Sequence, residues 1–210
     1  MITTVFSPKG GSGSTTIAAA LAVLAARVGP TVLVDAAEAG DIPACLGLPD
    51  VGGPGFTDWA RGDFDAEVFG RLGVGVNEWL SLIPHGGGVY EQSVAFAERL
   101  RDTAGDTQMI VDCGHSSTLA GIGDEILMVL RPCYLALRRA LASPVRATGV
   151  IVIEEPKRSL DPTDIQEVLG IPVRAVVPWD EAISRCIDAG LLAVRIPRSL
   201  KAALAQAVSV

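Results

Sequence analysis

Lysine is almost missing from this sequence. Its 210 residues include three, Lys9, Lys157 and Lys201, and the basic total reaches only 17 against 24 acidic side chains, a formal net charge of −7. An acidic chain is a poor general binder of nucleic acid or anionic lipid, because both attract cations. Aromatic residues make up only 5%, and there are two histidines, His85 and His115. The four cysteines are scattered with no C-x-x-C pair. That excludes a zinc-binding or disulfide framework and leaves buried, reduced thiols. No apolar run approaches the ~20 residues that a membrane span needs. The longest, around Ile17–Ala26, is closed by Arg27. The opening residues carry no basic segment, so no signal peptide is expected, and the cytoplasm is the expected compartment.

What is present is apolar and alternating. Hydrophobic residues make up 49%, charged residues 20%, and mean hydropathy is +0.40. This is enough for one sizeable core, and residues 1–210 are expected to form a single domain. Short β-branched runs recur at Ile2–Phe6, Thr31–Val34, Leu80–Pro84, Gln108–Val111, Glu125–Leu130, Gly149–Ile153 and Val173–Val177. Helical spacing or composition lies between them: an alanine-rich buried helix over Thr15–Val28, one or two turns over Ile42–Leu48, and a helix over Asp58–Leu72 broken at Gly62. Further helices are expected over Val89–Thr103, Tyr134–Ala142, Pro162–Leu169, Glu181–Ala189 and Ser199–Val208. Continuous apolar strands separated by helices predict a doubly wound α/β domain, a mostly parallel sheet with helices on both faces.

The segment that carries chemistry is Ser7-Pro8-Lys9-Gly10-Gly11-Ser12-Gly13-Ser14-Thr15-Thr16. It follows a strand and opens a helix, where backbone N–H groups and a helix N-terminus converge on phosphate. Glycine permits the close wrap. In the standard phosphate loop a lysine precedes the hydroxyl residue and neutralises the β- and γ-phosphates; here that position is Ser14. Asp35 and Asp112 fall at strand carboxyl ends, where open α/β sheets place ligands. Two readings stand for each feature. The glycines serve phosphate or only the turn. Lys9 contacts phosphate or stands in solvent. The two aspartates support a metal or cap their loops. Cys113 and His115 are too close in sequence to face each other as a nucleophile pair.

The loop resembles that of the ParA/MinD family of P-loop ATPases, whose deviant Walker A motif reads K-G-G-x-G-K-[ST]-[ST]. Lys9, Gly10, Gly11, Gly13, Thr15 and Thr16 match it. Val32-Leu33-Val34-Asp35, Leu82-Ile83-Pro84, Met109-Ile110-Val111-Asp112, Asp124–Val129 and the Gly170–Asp180 stretch follow in the family's order. The resemblance implies the P-loop NTPase fold, and ATP or ADP held by Gly10, Gly11, Ser12, Gly13, Ser14, Thr15, Thr16 and Pro178. It implies Mg²⁺ on Thr15 with Asp112 behind it. It also implies Lys9 and Asp35 in catalytic roles, with Lys9 reaching across a homodimer to the partner's nucleotide. The function it implies is intracellular positioning: chromosome or plasmid partition, septum placement, or localisation of pilus or secretion machinery.

Three departures bear on turnover. Ser14 stands where the lysine belongs. Ala37 stands where the family often has a second acidic residue, with Glu38 and Asp41 nearby. Glu154-Glu155-Pro156 lacks the amide that reads adenine. Loss of a charge-assisted phosphate contact removes ~1.5–3 kcal/mol and weighs more on the transition state than on binding. Hydrolysis is therefore expected to be weak or absent, and the loop resembles the degenerate loops of the TadZ/CpaE branch, which have a small residue at the lysine position and are linked to polar placement of pilus machinery. The alternative is a pseudo-ATPase acting as a nucleotide-independent interaction module. A dethiobiotin-synthetase-like ligase is disfavoured because phosphoryl transfer there needs the lysine. Arg131, Arg138, Arg139, Arg195, Arg198 and Lys201 form a candidate basic patch, but the net acidity argues against DNA. The last helix carries one lysine and no aromatic, which argues against membrane binding and for packing on the core.

Overall fold

The computed structural model describes residues 1–49, 51–62, 66–89, 94–205 and 207. The strands are β1 (Ile2–Phe6), β2 (Thr31–Asp35), β3 (Val74–Gly75), β4 (Leu80–Ile83), β5 (Gln108–Asp112), β6 (Glu125–Leu130), β7 (Gly149–Ile153) and β8 (Val173–Val177). The helices are α1 (Ser14–Ala25), α2 (Ile42–Leu46), α3 (Phe56–Arg61), α4 (Ala66–Arg71), α5 (Val94–Ala104), α6 (Ser117–Ala120), α7 (Tyr134–Leu141), α8 (Pro162–Leu169), α9 (Glu181–Asp188) and α10 (Arg198–Leu204).

The strands form one eight-stranded sheet in the order β3-β4-β2-β5-β1-β6-β7-β8. All pairings are parallel except β3 with β4. Alternate residues feed opposite cores, as a pleat requires. Leu127 and Val129 enter one cluster with α1, α2, α9 and α10. Met128 and Leu130 enter the other, beneath α3 to α8. Helices thus cover both faces, which is why the strands read as unbroken apolar runs. The predicted fold class holds.

Helix α1 is the most buried helix. Every residue from Ile17 to Ala25 is in the core, because β5 lies on one side and α2 and α10 pack on the others. It ends three residues before the sequence suggested. Arg27 and Val28 donate to carbonyls three residues back, and Gly29-Pro30 stops the turn. The break at Gly62 is real: Asp58 accepts from the Gly55 N–H at 2.8 Å and starts α3 two residues earlier than expected. Residues 90–93 of the expected Val89–Thr103 helix lie outside the described residues, as do 63–65 of the expected Asp58–Leu72 helix and 206 and 208 of the last one. In α10, Leu200 and Leu204 are fully buried, so it packs on the core. Among the described residues no helix is long and apolar enough to cross a membrane.

Candidate nucleotide-binding site

β1 lies between β5 and β6, at the point where successive connections leave in opposite directions. This is where a doubly wound sheet opens a crevice at its carboxyl edge. The chain leaving β1 forms the glycine loop. The Ser7 and Ser12 hydroxyls donate to the Lys9 carbonyl at 2.8 and 2.7 Å, fixing the first half of the loop. Gly11 and Gly13 take φ of +71° and +96°, conformations costly for any side chain. Gly13 directly precedes α1 and offers no side-chain cap. The first-turn N–H groups of α1 are left for a ligand, and they carry the positive end of the helix dipole.

Asp35 and Asp112 end β2 and β5 side by side in register, and both are buried. Asp35 Oδ2 accepts from the Ile42 N–H at 3.1 Å, and Asp112 Oδ1 from the Gly114 N–H at 3.0 Å. The other oxygen of each has no hydrogen-bond partner among the described residues. Burial, and then the Asp112 charge, push the Asp35 carboxyl up to about 7. Burial also raises Asp112, against a favourable influence from the nearby Thr15 hydroxyl that stops short of hydrogen-bond geometry. Two adjacent buried carboxylates with orphaned oxygens call for a proton or a cation. The residues present fit Mg²⁺. Such an ion is held by one or two side chains plus phosphate oxygens and water, and among the described residues no larger cage of ligands exists.

Two clefts flank Gly13. One, of about 620 Å³, lies between the loop and residues 36–41 and 113–116, with Ser14, Thr15, Glu38, Asp41 and His115 on its walls. The other, of about 230 Å³, has Thr16, Ile153, Pro178, Trp179 and Ile183 on its walls. It offers an apolar slot for a flat ring beside the first turn of α1. The structure therefore brings Gly11, Gly13, Ser14 and Thr15 to one cleft, and Ser12, Gly13, Thr16 and Pro178 to the other. Gly10 lies against His115. Asp35 and Asp112 line neither cleft and are fully buried beside Ala36 and Cys113, which line the larger one. Lys9 is not brought into either lining. Its side chain makes no ion pair among the described residues.

Ala37 is buried against Gly114, while Glu38 and Asp41 are exposed on the cleft wall. Cys113 is fully buried and its thiol is pushed well up by burial, which leaves no reactive thiolate beside His115. Asp180 is a cap rather than a ligand. It accepts from the Ala182 N–H at 2.8 Å and the Ser199 hydroxyl at 2.5 Å.

The expected basic patch does not form as one surface. Arg138 and Arg139 sit on α7, on one face of the sheet, and Arg198 and Lys201 on α10, on the other. Arg131 is tied to Glu155 at 2.8 Å. The order of residues along the chain does not mark these two as partners. Glu155, at the end of β7, also holds Arg158, so the place of the expected amide is taken by an ion-pair cluster. Arg131 Nε is buried beside the apolar slot, without a hydrogen-bond partner among the described residues. Only the opposite charges hinted at it.

No protein-family model and no curated protein matches the chain. Solved structures do. A ParA family ATPase from Chlorobium tepidum TLS matches at a TM-score of 0.76 and 21% identity, covering 97% of this chain and 95% of that one. The septum site-determining protein MinD from Pyrococcus horikoshii OT3, complexed with Mg-ADP, matches at 0.79 and 20%, covering 98% and 93%. An ATP complex of McdA from Cyanothece matches at 0.75 and 17%, covering 99% and 96%. The sheet order, the glycine loop after β1 and these full-length matches agree: the chain has the P-loop NTPase fold of the ParA/MinD ATPases.

Proposed function

We propose that this chain is a ParA/MinD-like nucleotide-binding protein of intracellular positioning that holds ATP or ADP with Mg²⁺ and hydrolyses ATP weakly or not at all. The observation that carries the reading is the pairing of an uncapped, glycine-shaped helix start with two buried carboxylates that each keep an unpartnered oxygen. One element binds anions and the other attracts a cation, and a metal-nucleotide satisfies both. In this reading the loop N–H groups from Gly10 to Thr16 cradle the phosphates. The Thr15 hydroxyl holds Mg²⁺ with Asp112 behind it, and Pro178 and Ile153 flank the base. Bound Mg²⁺ supplies charge neutralisation at the phosphate oxygens. Asp35, fixed by the Ile42 N–H, stands at the catalytic edge. Lys9, unpaired at the loop's start, serves a partner's nucleotide across a homodimer. Residues 1–210 act as one such domain, in the cytoplasm, on a protein cargo.

Weak turnover follows from Ser14. Without a lysine, no fixed cation meets the charge that develops on the transferring phosphate. The test is ATP turnover in the wild type and in Ser14→Lys. Turnover near background that rises at least tenfold in the variant supports the reading, since one charge-assisted contact is worth ~1.5–3 kcal/mol. Fast wild-type hydrolysis would contradict it. The buried Ala37, which cannot orient water, favours a second reading, a nucleotide-independent interaction module. A dimer in gel filtration that ignores Mg·ATP would select it.

A further inference from the structure

The larger cleft lacks positive charge. Its walls carry the carboxylates of Glu38 and Asp41, with Asp112 beneath, and of the side chains lining it only His115 can become a cation. The polyphosphate of the preceding reading would meet backbone N–H groups there, but no lysine at position 14.

The His115 ring is anchored at one end and lies over the glycine loop at the other. Its Nδ1 lies 2.8 Å from the Ser7 carbonyl oxygen. A carbonyl oxygen only accepts, so Nδ1 carries a proton and donates it. The opposite nitrogen, Nε2, lies over the glycine loop: a Cβ on Gly10 would stand 3.2 Å from it. Gly10 is therefore the seat of the ring as well as part of the turn. In the neutral imidazole this arrangement leaves a lone pair on Nε2, which repels an anion. In the imidazolium both nitrogens donate.

We propose that His115, as an imidazolium anchored on the Ser7 carbonyl, is the cation that holds bound phosphate in this cleft, a ground-state contact that leaves the lysine's role in turnover unfilled. The proposal rests on the nucleotide-binding reading. The carboxylates of Glu38 and Asp41 line the same cleft as the ring, Lys9 lies in the adjoining loop, and a charged His115 favours the ionised form of Asp112 at the end of β5. A bound polyphosphate adds a stronger attraction. Binding that depends on a charged ring weakens at a pH high enough to remove its proton.

Metal-free inorganic pyrophosphate is the probe, titrated calorimetrically at pH 5.5 and 8.5 into the wild type and His115→Gln. The glutamine amide keeps a donor for Ser7 without a charge. The expected result is about tenfold or more weaker binding by the variant at pH 5.5 and near-equal binding at pH 8.5. Protonation of the probe itself is common to both proteins. A second readout uses the wild type alone. With only two histidines in the chain, ring NMR signals separate readily. At pH 5.5 pyrophosphate should displace the His115 ring signals and leave those of His85, packed against Gly40, unchanged. Equal affinities at pH 5.5, or His115 ring signals that pyrophosphate leaves unmoved, overturn the proposal. So does absence of pyrophosphate binding by the wild type at pH 5.5. Titration with Mg·ADP then shows whether nucleotide binding falls with it or stands.

Discussion

Asp35 shows how one residue reports on the site. Its carboxyl sits at about 7 in the fold against 3.8 in an unfolded chain, because burial and the neighbouring Asp112 disfavour its charge. The folded state therefore keeps a proton that the unfolded state releases. Stability from this group is fully present below about pH 4 and is lost as pH rises to about 7. At pH 8 the ionised Asp35 costs the apo fold ~4 kcal/mol. Asp35→Asn removes the charge and retains an acceptor for the Ile42 N–H. We expect it to raise the melting temperature of the apo protein clearly at pH 8 and little at pH 5, with Mg·ADP narrowing the gap. A gain of the same size at both pH values would show that Asp35 is not strained by its charge. Such a group is inconvenient in a fold and useful beside a cation.

At the scale of elements, the site depends on a contact far from the loop. Gly47 ends α2 at φ +73°, and a Cβ there would fall 2.1 Å from the Gly190 carbonyl oxygen at the end of α9. The two helices meet backbone to backbone. The first residue of α2, Ile42, supplies the N–H that holds Asp35. Gly47→Ala should therefore cost at least ~2 kcal/mol in urea denaturation, from strain at a left-handed position and from separation of the helices. A loss below about 0.5 kcal/mol would mean that the contact is easily relaxed. Nothing in the sequence marked Gly47 and Gly190 as partners, since they meet only through tertiary packing. The parallel strands and α1 were legible, because burial on both faces leaves unbroken apolar runs. The two-residue β3 and four-residue α6 were not, because they are too short to show a period. Within the site, the glycine loop and the strand-end aspartates were legible from local order. The Arg131–Glu155 pair and the seat of His115 on Gly10 were not, since each joins segments distant in sequence.

At the scale of the whole molecule, the scarcity of lysine gains a location. The cleft beside the phosphate loop carries acidic walls, and the arginines of α7 and α10 are split between opposite faces of the sheet. A net charge of −7 with no single basic face is a poor match to a polyanionic surface. It does not prevent a small metal-nucleotide from binding where backbone N–H groups and a cation do the work. The fold supplies the crevice at the carboxyl edge of β1, flanked by a polar cleft and an apolar slot. The account thus comes down to occupancy of that crevice. Calorimetric titration of the wild type with Mg·ADP tests it most directly. The account predicts saturable binding of about one nucleotide per chain below millimolar concentration, weakened by at least tenfold in Gly13→Ala, whose side chain cannot adopt the +96° turn without strain. No heat of binding up to millimolar Mg·ADP, or equal binding by both proteins, would contradict it.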